Sequence, residues 1–251
     1  MIPSLIIANW KMHKTIKETE AFCRDFIVLS RGIHKTTVVI CPPFTALAAA
    51  RTCLESSNIQ LGAQDMHWED KGAYTGEVSP LQLIDAGCRY VIIGHSERRH
   101  LRGETEEMIN KKITAAMAHD LIPVLCVGET LQEREAGRAG HVVALQLEKG
   151  LQNINFSAGN LVIAYEPVWA IGTGVNASGR DAGEMAALIR SCLGKLNPSG
   201  PAPKIPLLYG GSVKADNFAE FLQEDMNGAL VGGASLQADS FFEIVRLSED
   251  A

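Results

Sequence analysis

YVIIGHSERRHLRGETEEMINKKITAAMAHDLIPVLCV, residues Tyr90 to Val127, is the stretch that decides the fold class. It opens on an apolar run, Tyr90–Ile93, and closes on another, Pro123–Val127. Both runs are continuous rather than alternating, as in strands buried on both faces. Between them Ile109, Ile113, Ala116 and Met117 recur on one helical face. Thr105 stands where a cap belongs, and Glu106 and Glu107 follow in the first turn, where the helix dipole favours acids. Strand, helix, strand in fewer than forty residues is one parallel βαβ unit.

The same unit repeats outward in both directions. Apolar runs of strand type occur at Leu5–Ala8, Thr37–Ile40, Ile59–Ala63, Leu161–Tyr165, Ile205–Tyr209 and Ala229–Val231, making eight with the two above. Helical faces lie between them: Met185, Leu188, Ile189 and Cys192; Phe218, Phe221 and Leu222; Phe241, Phe242 and Val245. Thr15 with Glu18, and Thr130 with Glu133, read as capping boxes. Eight strand-helix units in 251 residues match a single-domain α/β chain folded as a (β/α)8 barrel over residues 1–251. A doubly wound open sheet is the alternative, but eight strands exceed its usual six and no GxGxxG follows the first strand. The Pro-rich Asn197–Pro206 fits a helix-to-strand loop rather than a linker.

Composition narrows the function. Apolar residues make up 46% and charged residues 21%, an ordinary globular balance. The net charge is −6, and the longest basic strings are the pairs Arg98-Arg99 and Lys111-Lys112, so no nucleic-acid partner is expected. An anionic ligand needs local help against that field. Six cysteines lack any CxxC pairing or zinc-ligand spacing, which fits free thiols in a reducing compartment; the cytosol is expected. No uncharged apolar run reaches membrane-spanning length, and Met1-Ile2-Pro3-Ser4 lacks the basic start of a signal peptide.

In a barrel of this kind the site lies at the carboxyl ends of the strands. Asn9 and Lys11 follow the first run, His95, Ser96 and Glu97 the fourth, and Glu166 the sixth. The last two runs end in Gly210-Gly211-Ser212 and Gly232-Gly233, a pattern that leaves backbone N–H groups free for a phosphate. Lys11 would then supply a charge to the same anion, with Glu97 near enough in strand order to pair with it. His95 opens a helical turn, whose positive end disfavours imidazolium and leaves a neutral donor. Glu166 lies among apolar residues, so its carboxyl is expected to be shifted up toward the range of a general base. Pro167-Val168-Trp169-Ala170-Ile171-Gly172-Thr173-Gly174 follows at once. A stiff start, a bulky apolar middle and a glycine-rich end describe a hinged lid that excludes water.

These segments, with Asn9-Trp10-Lys11-Met12, Ala73-Tyr74-Thr75-Gly76-Glu77, Gly94–Arg99, Tyr209–Val213 and Leu230–Leu236, resemble the triosephosphate isomerase family in order and over the whole chain. The resemblance implies the TIM barrel fold and the interconversion of dihydroxyacetone phosphate and D-glyceraldehyde 3-phosphate, with no metal or organic cofactor. It makes Glu166 the base, His95 the neutral electrophile, and Lys11 and Asn9 the groups lining the enediolate. It makes Glu97 and Ser96 supporting residues. Gly172, Ser212 and Gly233, with Gly232 beside them, become the phosphate holders. It implies a homodimer in which the loop Gln64–Glu77 protrudes and carries Tyr74, Thr75 and Gly76 toward the partner's site. Met66, Trp68 and Tyr74 in that loop are read as apolar groups for such an interface. Ala8 and His13 stand where many members have Gly and Asn, outside the positions given chemistry. Three other readings stay open: a sister aldose-ketose isomerase of a four-carbon sugar phosphate, a metal-dependent sugar-phosphate epimerase, and a non-catalytic barrel.

Overall fold

A computed structural model describes residues 4–171, 177–197, 204–222 and 225–251. Eight strands run parallel and close on themselves in chain order. They are β1 (Leu5–Asn9), β2 (Thr37–Cys41), β3 (Gln60–Ala63), β4 (Tyr90–Ile93), β5 (Ile122–Val127), β6 (Val162–Tyr165), β7 (Leu207–Tyr209) and β8 (Gly228–Val231). Closure is made by β1 against β8, with Leu5 opposite Gly228 and Ala8 opposite Val231.

The continuous apolar runs now have their cause. Leu5 and Ile7 of β1 point into the barrel with Val39, Tyr90, Ile92, Val124, Cys126, Leu208 and Leu230. Ile6 and Ala8 point outward into the layer between sheet and helices. Both sets are buried, so neither face of the strand tolerates a polar alternation. Strand ends move by a residue or two from the expected ones. Strand β7 begins at Leu207 rather than Ile205, although the Pro206 carbonyl still accepts the Ile163 N–H at 3.0 Å.

The outer ring includes α1 (Ile16–Leu29), α2 (Leu47–Leu54), α3 (Pro80–Asp85), α4 (Ser96–Arg102), α5 (Glu106–Ala118) and α6 (Leu131–Glu135), followed by α7 (Ala139–Gly150), α8 (Gly179–Leu196), α9 (Phe218–Leu222) and α10 (Ala238–Glu249). Thr15 with Glu18 and Thr130 with Glu133 do form capping boxes, and Thr105 accepts from the Met108 N–H. Ser79 with Gln82 and Ser178 with Asp181 add two more. The first and last helices meet over the closing seam. Phe22 lies 4.8 Å edge-on to Trp10, and Phe26 lies 5.0 Å from Phe241. Such pairs add about 0.5–1.5 kcal/mol each beyond area burial.

One face of α5 departs from the apolar reading. Lys112 shares it with Ile109, Ile113 and Ala116 and is equally buried. Its ammonium lies 2.7 Å from Asp65 and also pairs with Glu104, while Arg98 of α4 bonds Asp65 at 2.9 Å and Glu104 at 3.2 Å. This cluster, buried except for Arg98, ties α4 to α5 and to the loop after β3.

Candidate active site

The carboxyl ends of the strands open on one cleft of about 780 Å³. Asn9, Lys11, His95, Glu166, Ile171, Ser212, Gly232 and Gly233 all line it, although they come from five different strand ends. These expected site residues therefore converge, whereas Pro167, Val168, Trp169 and Ala170 do not line the cleft, and three further groups stand apart. Glu97 and Ser96 do not line it but contact Lys11 and Glu166, which do. Tyr74, Thr75 and Gly76 are exposed on the loop after β3 and line no part of the cleft. Gly172, Thr173 and Gly174 lie outside the described residues.

Lys11 is held in the left-handed region at φ 50°, a conformation that costs a non-glycine residue about 1–3 kcal/mol and clusters at functional sites. Three contacts hold it there. Its N–H donates to Asn9 Oδ1 at 3.1 Å, its carbonyl accepts from Gln64 at 2.8 Å, and its ammonium meets Glu97 at 2.7 Å. The stem passes close to Gly232, whose missing Cβ would lie 3.8 Å from Lys11 Cε. The cation and the last glycine pair thus share one wall.

His95 is the N-cap of α4, and its Nδ1 accepts from the Glu97 N–H at 3.2 Å. That assigns the ring proton to Nε2, which lies 3.0 Å from Glu166 Oε1. The other oxygen of Glu166 accepts from the Ser96 N–H at 2.9 Å. Glu166 is fully enclosed, and Gly210 leaves it room: a Cβ there would lie 2.8 Å from Glu166 Cγ.

The electrostatics reverse the simple expectation for Glu166. Burial does push its carboxyl up, but the His95 ring, the Ser96 N–H and Lys11 together outweigh burial and hold it below the usual carboxylate range. His95 moves in the opposite direction from the one its helix terminus implies. Burial works against its charge, but the adjoining Glu166 carboxylate raises its proton affinity above the ordinary imidazole value. Sequence separation hid this pairing, since the partners lie 71 positions apart.

The start of the segment expected to form a lid is held by hydrogen bonds. Val168–Ala170 form one 3-10 turn, and the Val168 N–H donates to the Glu129 carbonyl at 3.0 Å. The Trp169 indole N–H donates to Glu129 Oε1 at 2.8 Å, and the Tyr165 hydroxyl to the same oxygen at 3.1 Å. Arg134 lies over the Trp169 ring at 4.5 Å. The bulky middle of the segment is thus polar-tipped as well as apolar.

The loop after β3 also differs from its reading. Met66 is buried in the protein's own core, and Trp68 is half-buried between His67 and Lys111. Only Tyr74 of the three is exposed. Exposed apolar groups cluster instead beside the cleft. Met12, Phe44 and Leu101 rim a groove that also contains Lys11, His95 and Glu97. Among the described residues no three His, Cys, Asp or Glu side chains converge as a metal site needs. No helix among them is long and apolar enough to cross a membrane.

Comparison with known proteins agrees with this geometry. The family model described as Triosephosphate isomerase matches residues 4–248. The chain is 52% identical over 244 residues to the triosephosphate isomerase of Dictyoglomus turgidum, covering 96% of this chain and 98% of the relative. It is 53% identical over 250 residues to that of Moorella thermoacetica, covering 98% of each. The crystal structure of triosephosphate isomerase from Bartonella henselae superposes with a TM-score of 0.89 at 39% identity, covering 98% of this chain and 100% of that one.

Proposed function

The chain belongs to the triosephosphate isomerase family and is an isomerase of triose phosphates; from that premise we propose how its own residues carry the reaction. Dihydroxyacetone phosphate and D-glyceraldehyde 3-phosphate are interconverted through an enediolate. Glu166 takes the carbon-bound proton and returns it to the neighbouring carbon. His95 donates from Nε2 to the substrate oxygens, and Lys11 with Asn9 stabilises the negative charge that develops there. The backbone around Ser212, Gly232 and Gly233, together with Gly172, holds the phosphate.

The observation that carries this reading is the 3.0 Å contact between His95 Nε2 and Glu166 Oε1 inside the cleft. In the free site that contact keeps Glu166 a weak base. A substrate carbonyl that takes the Nε2 proton in its place removes the strongest brake on the carboxyl. Burial, already the largest influence on Glu166, then raises its basicity in the presence of substrate. Pro167 to Gly174 would close over the site, with Glu129 as the dock for Trp169, and exclude water from the enediolate.

The protein acts as a homodimer in this reading. Tyr74, Thr75 and Gly76 of one protomer enter the partner's groove beside Lys11 and His95, covering exposed Met12, Phe44 and Leu101. Six free cysteines fit the cytosol.

The test compares wild type with Glu166→Gln on D-glyceraldehyde 3-phosphate and on a four-carbon sugar phosphate, with EDTA present. Rapid turnover of the triose, lost by a factor of about 10²–10⁴ or more in the variant, is the expected result. Full activity in the variant would remove Glu166 from the mechanism. Preference for the four-carbon substrate would move the specificity to the sister isomerase.

A further inference from the structure

Arg99 lies on α4, four residues beyond His95, and its side chain is only 8% exposed. It does not itself line the cleft, although its backbone N–H donates to the carbonyl of His95, which does, at 3.1 Å. Its Nε donates to the Gly94 carbonyl at 2.6 Å, and Nη2 donates to the Cys126 carbonyl at 2.9 Å. Nη1 pairs with Glu106 at the start of α5.

The two carbonyls are the informative part. Gly94 directly precedes His95 and sits at φ +71°, a left-handed conformation that favours glycine. A Cβ on Gly94 would lie 2.9 Å from Arg99 Nη2, so a larger residue there would push the guanidinium out of its present position. Cys126 lies on β5, and the next carbonyl along that strand, of Val127, accepts the Glu166 N–H at 2.8 Å. One rigid planar group therefore clamps the peptide that aims His95 and the strand that seats Glu166.

We propose that Arg99 is a positioning residue for the isomerisation: its fork fixes the relative placement of His95 and Glu166, and it acts on turnover rather than on substrate affinity. The inference rests on the roles given above to those two residues. A lysine reaches one carbonyl as a point charge but cannot span both. Misplacement of a reacting group by about 1 Å costs roughly 10²-fold in rate. The phosphate is held by the ends of β7 and β8, which Arg99 does not touch, so phosphate affinity should not follow the rate.

The experiment measures kcat, KM, inhibition by inorganic phosphate and inhibition by a phosphorylated hydroxamate that mimics the enediolate. Arg99→Lys is expected to lower kcat about 10- to 100-fold. Hydroxamate affinity should fall in parallel, while KM and phosphate inhibition stay within about threefold of wild type on the same reasoning. Glu106→Gln, which keeps both carbonyl contacts, should retain wild-type turnover. Unchanged kcat in Arg99→Lys overturns the inference. So does a loss of phosphate affinity equal to the loss of kcat, or an equal loss in Glu106→Gln, since each marks a general loosening of the fold. Should Arg99→Lys not fold, Arg99→Ala with added guanidinium ion replaces it: recovered kcat at constant KM supports the clamp, and no recovery overturns it. Glu166→Gln is assayed alongside. An inactive wild type or an active Glu166→Gln would defeat the reading of the site itself, whereas an unimpaired Arg99→Lys beside an inactive Glu166→Gln would defeat only the clamp.

Discussion

Replacing Lys112 with methionine should destabilise the protein more than any surface charge change, and the loss should depend on pH. The ammonium is 2% exposed and lies between the Asp65 and Glu104 side chains, themselves 8% and 1% exposed. Methionine fills a similar volume, so little cavity is added. What remains is two enclosed carboxyls with Arg98, one-third exposed, as their shared cation. Removing one partner from a buried ionic cluster costs about 3–5 kcal/mol. For a chain of this size that lowers Tm by about 6–10 °C.

The pH dependence follows from Asp65. Burial chiefly raises its carboxyl above the ordinary value, Lys112 pulls it down, and Glu104 pushes it up. Without Lys112 it rises further. A group whose folded pKa lies above its unfolded one, about 3.9 for Asp, adds stability below that unfolded value. That stability disappears as pH rises through the folded pKa. The deficit of Lys112→Met should therefore be largest near pH 7 and shrink toward pH 4. Thermal unfolding followed by circular dichroism across that range measures it, and adding Glu104→Gln should recover part of the loss. A deficit under about 1 kcal/mol at neutral pH, or one that widens on acidification, would refute the account of the cluster.

Two further outcomes are expected. Gly210→Ala sets a methyl 2.8 Å from Glu166 Cγ and 3.2 Å from the Tyr165 carbonyl; kcat should drop about 10- to 100-fold by steady-state assay while phosphate inhibition persists. Glu249 accepts from the N–H groups of His34, Lys35 and Thr36, which overcome the effect of burial and hold its carboxyl down to about 2. Its contribution is present above the unfolded value of about 4.3 and is lost as pH falls toward 2. Glu249→Gln should lower stability at pH 7 by at most about 1–2 kcal/mol, given the solvent around it, and chemical denaturation near pH 2 should show no difference from wild type.

Much of the architecture was legible because both faces of every strand are buried, which writes each strand as an apolar run. Caps such as Thr15 with Glu18 are local and read directly from spacing. The converging residues at strand ends were legible because a closed parallel barrel puts all those ends on one rim. Long-range pairings were not. Lys112 reads as half of a surface Lys-Lys pair, yet its partner Asp65 lies 47 positions away. Glu129 and Arg99 look like ordinary solvated charges until tertiary contacts bury them. The expected direction for Glu166 failed for the same reason: periodicity shows its apolar neighbours but not the His95 ring. Trp68 and Met66 look like interface groups in the sequence because a loop sequence does not reveal which side chains fold back on the core.

Closure of β1 on β8 has a consequence for synthesis of the chain. Lys11 follows the first strand, and the Gly232 it packs beside follows the last, 221 positions later. At about 5–20 residues per second, a ribosome adds Gly232 roughly 10–45 s after Lys11. Through that interval the first strand has no eighth to close on, and the wall that Lys11 shares with Gly232 is only half built. Catalytic competence should therefore arrive at the end of translation rather than build up along it.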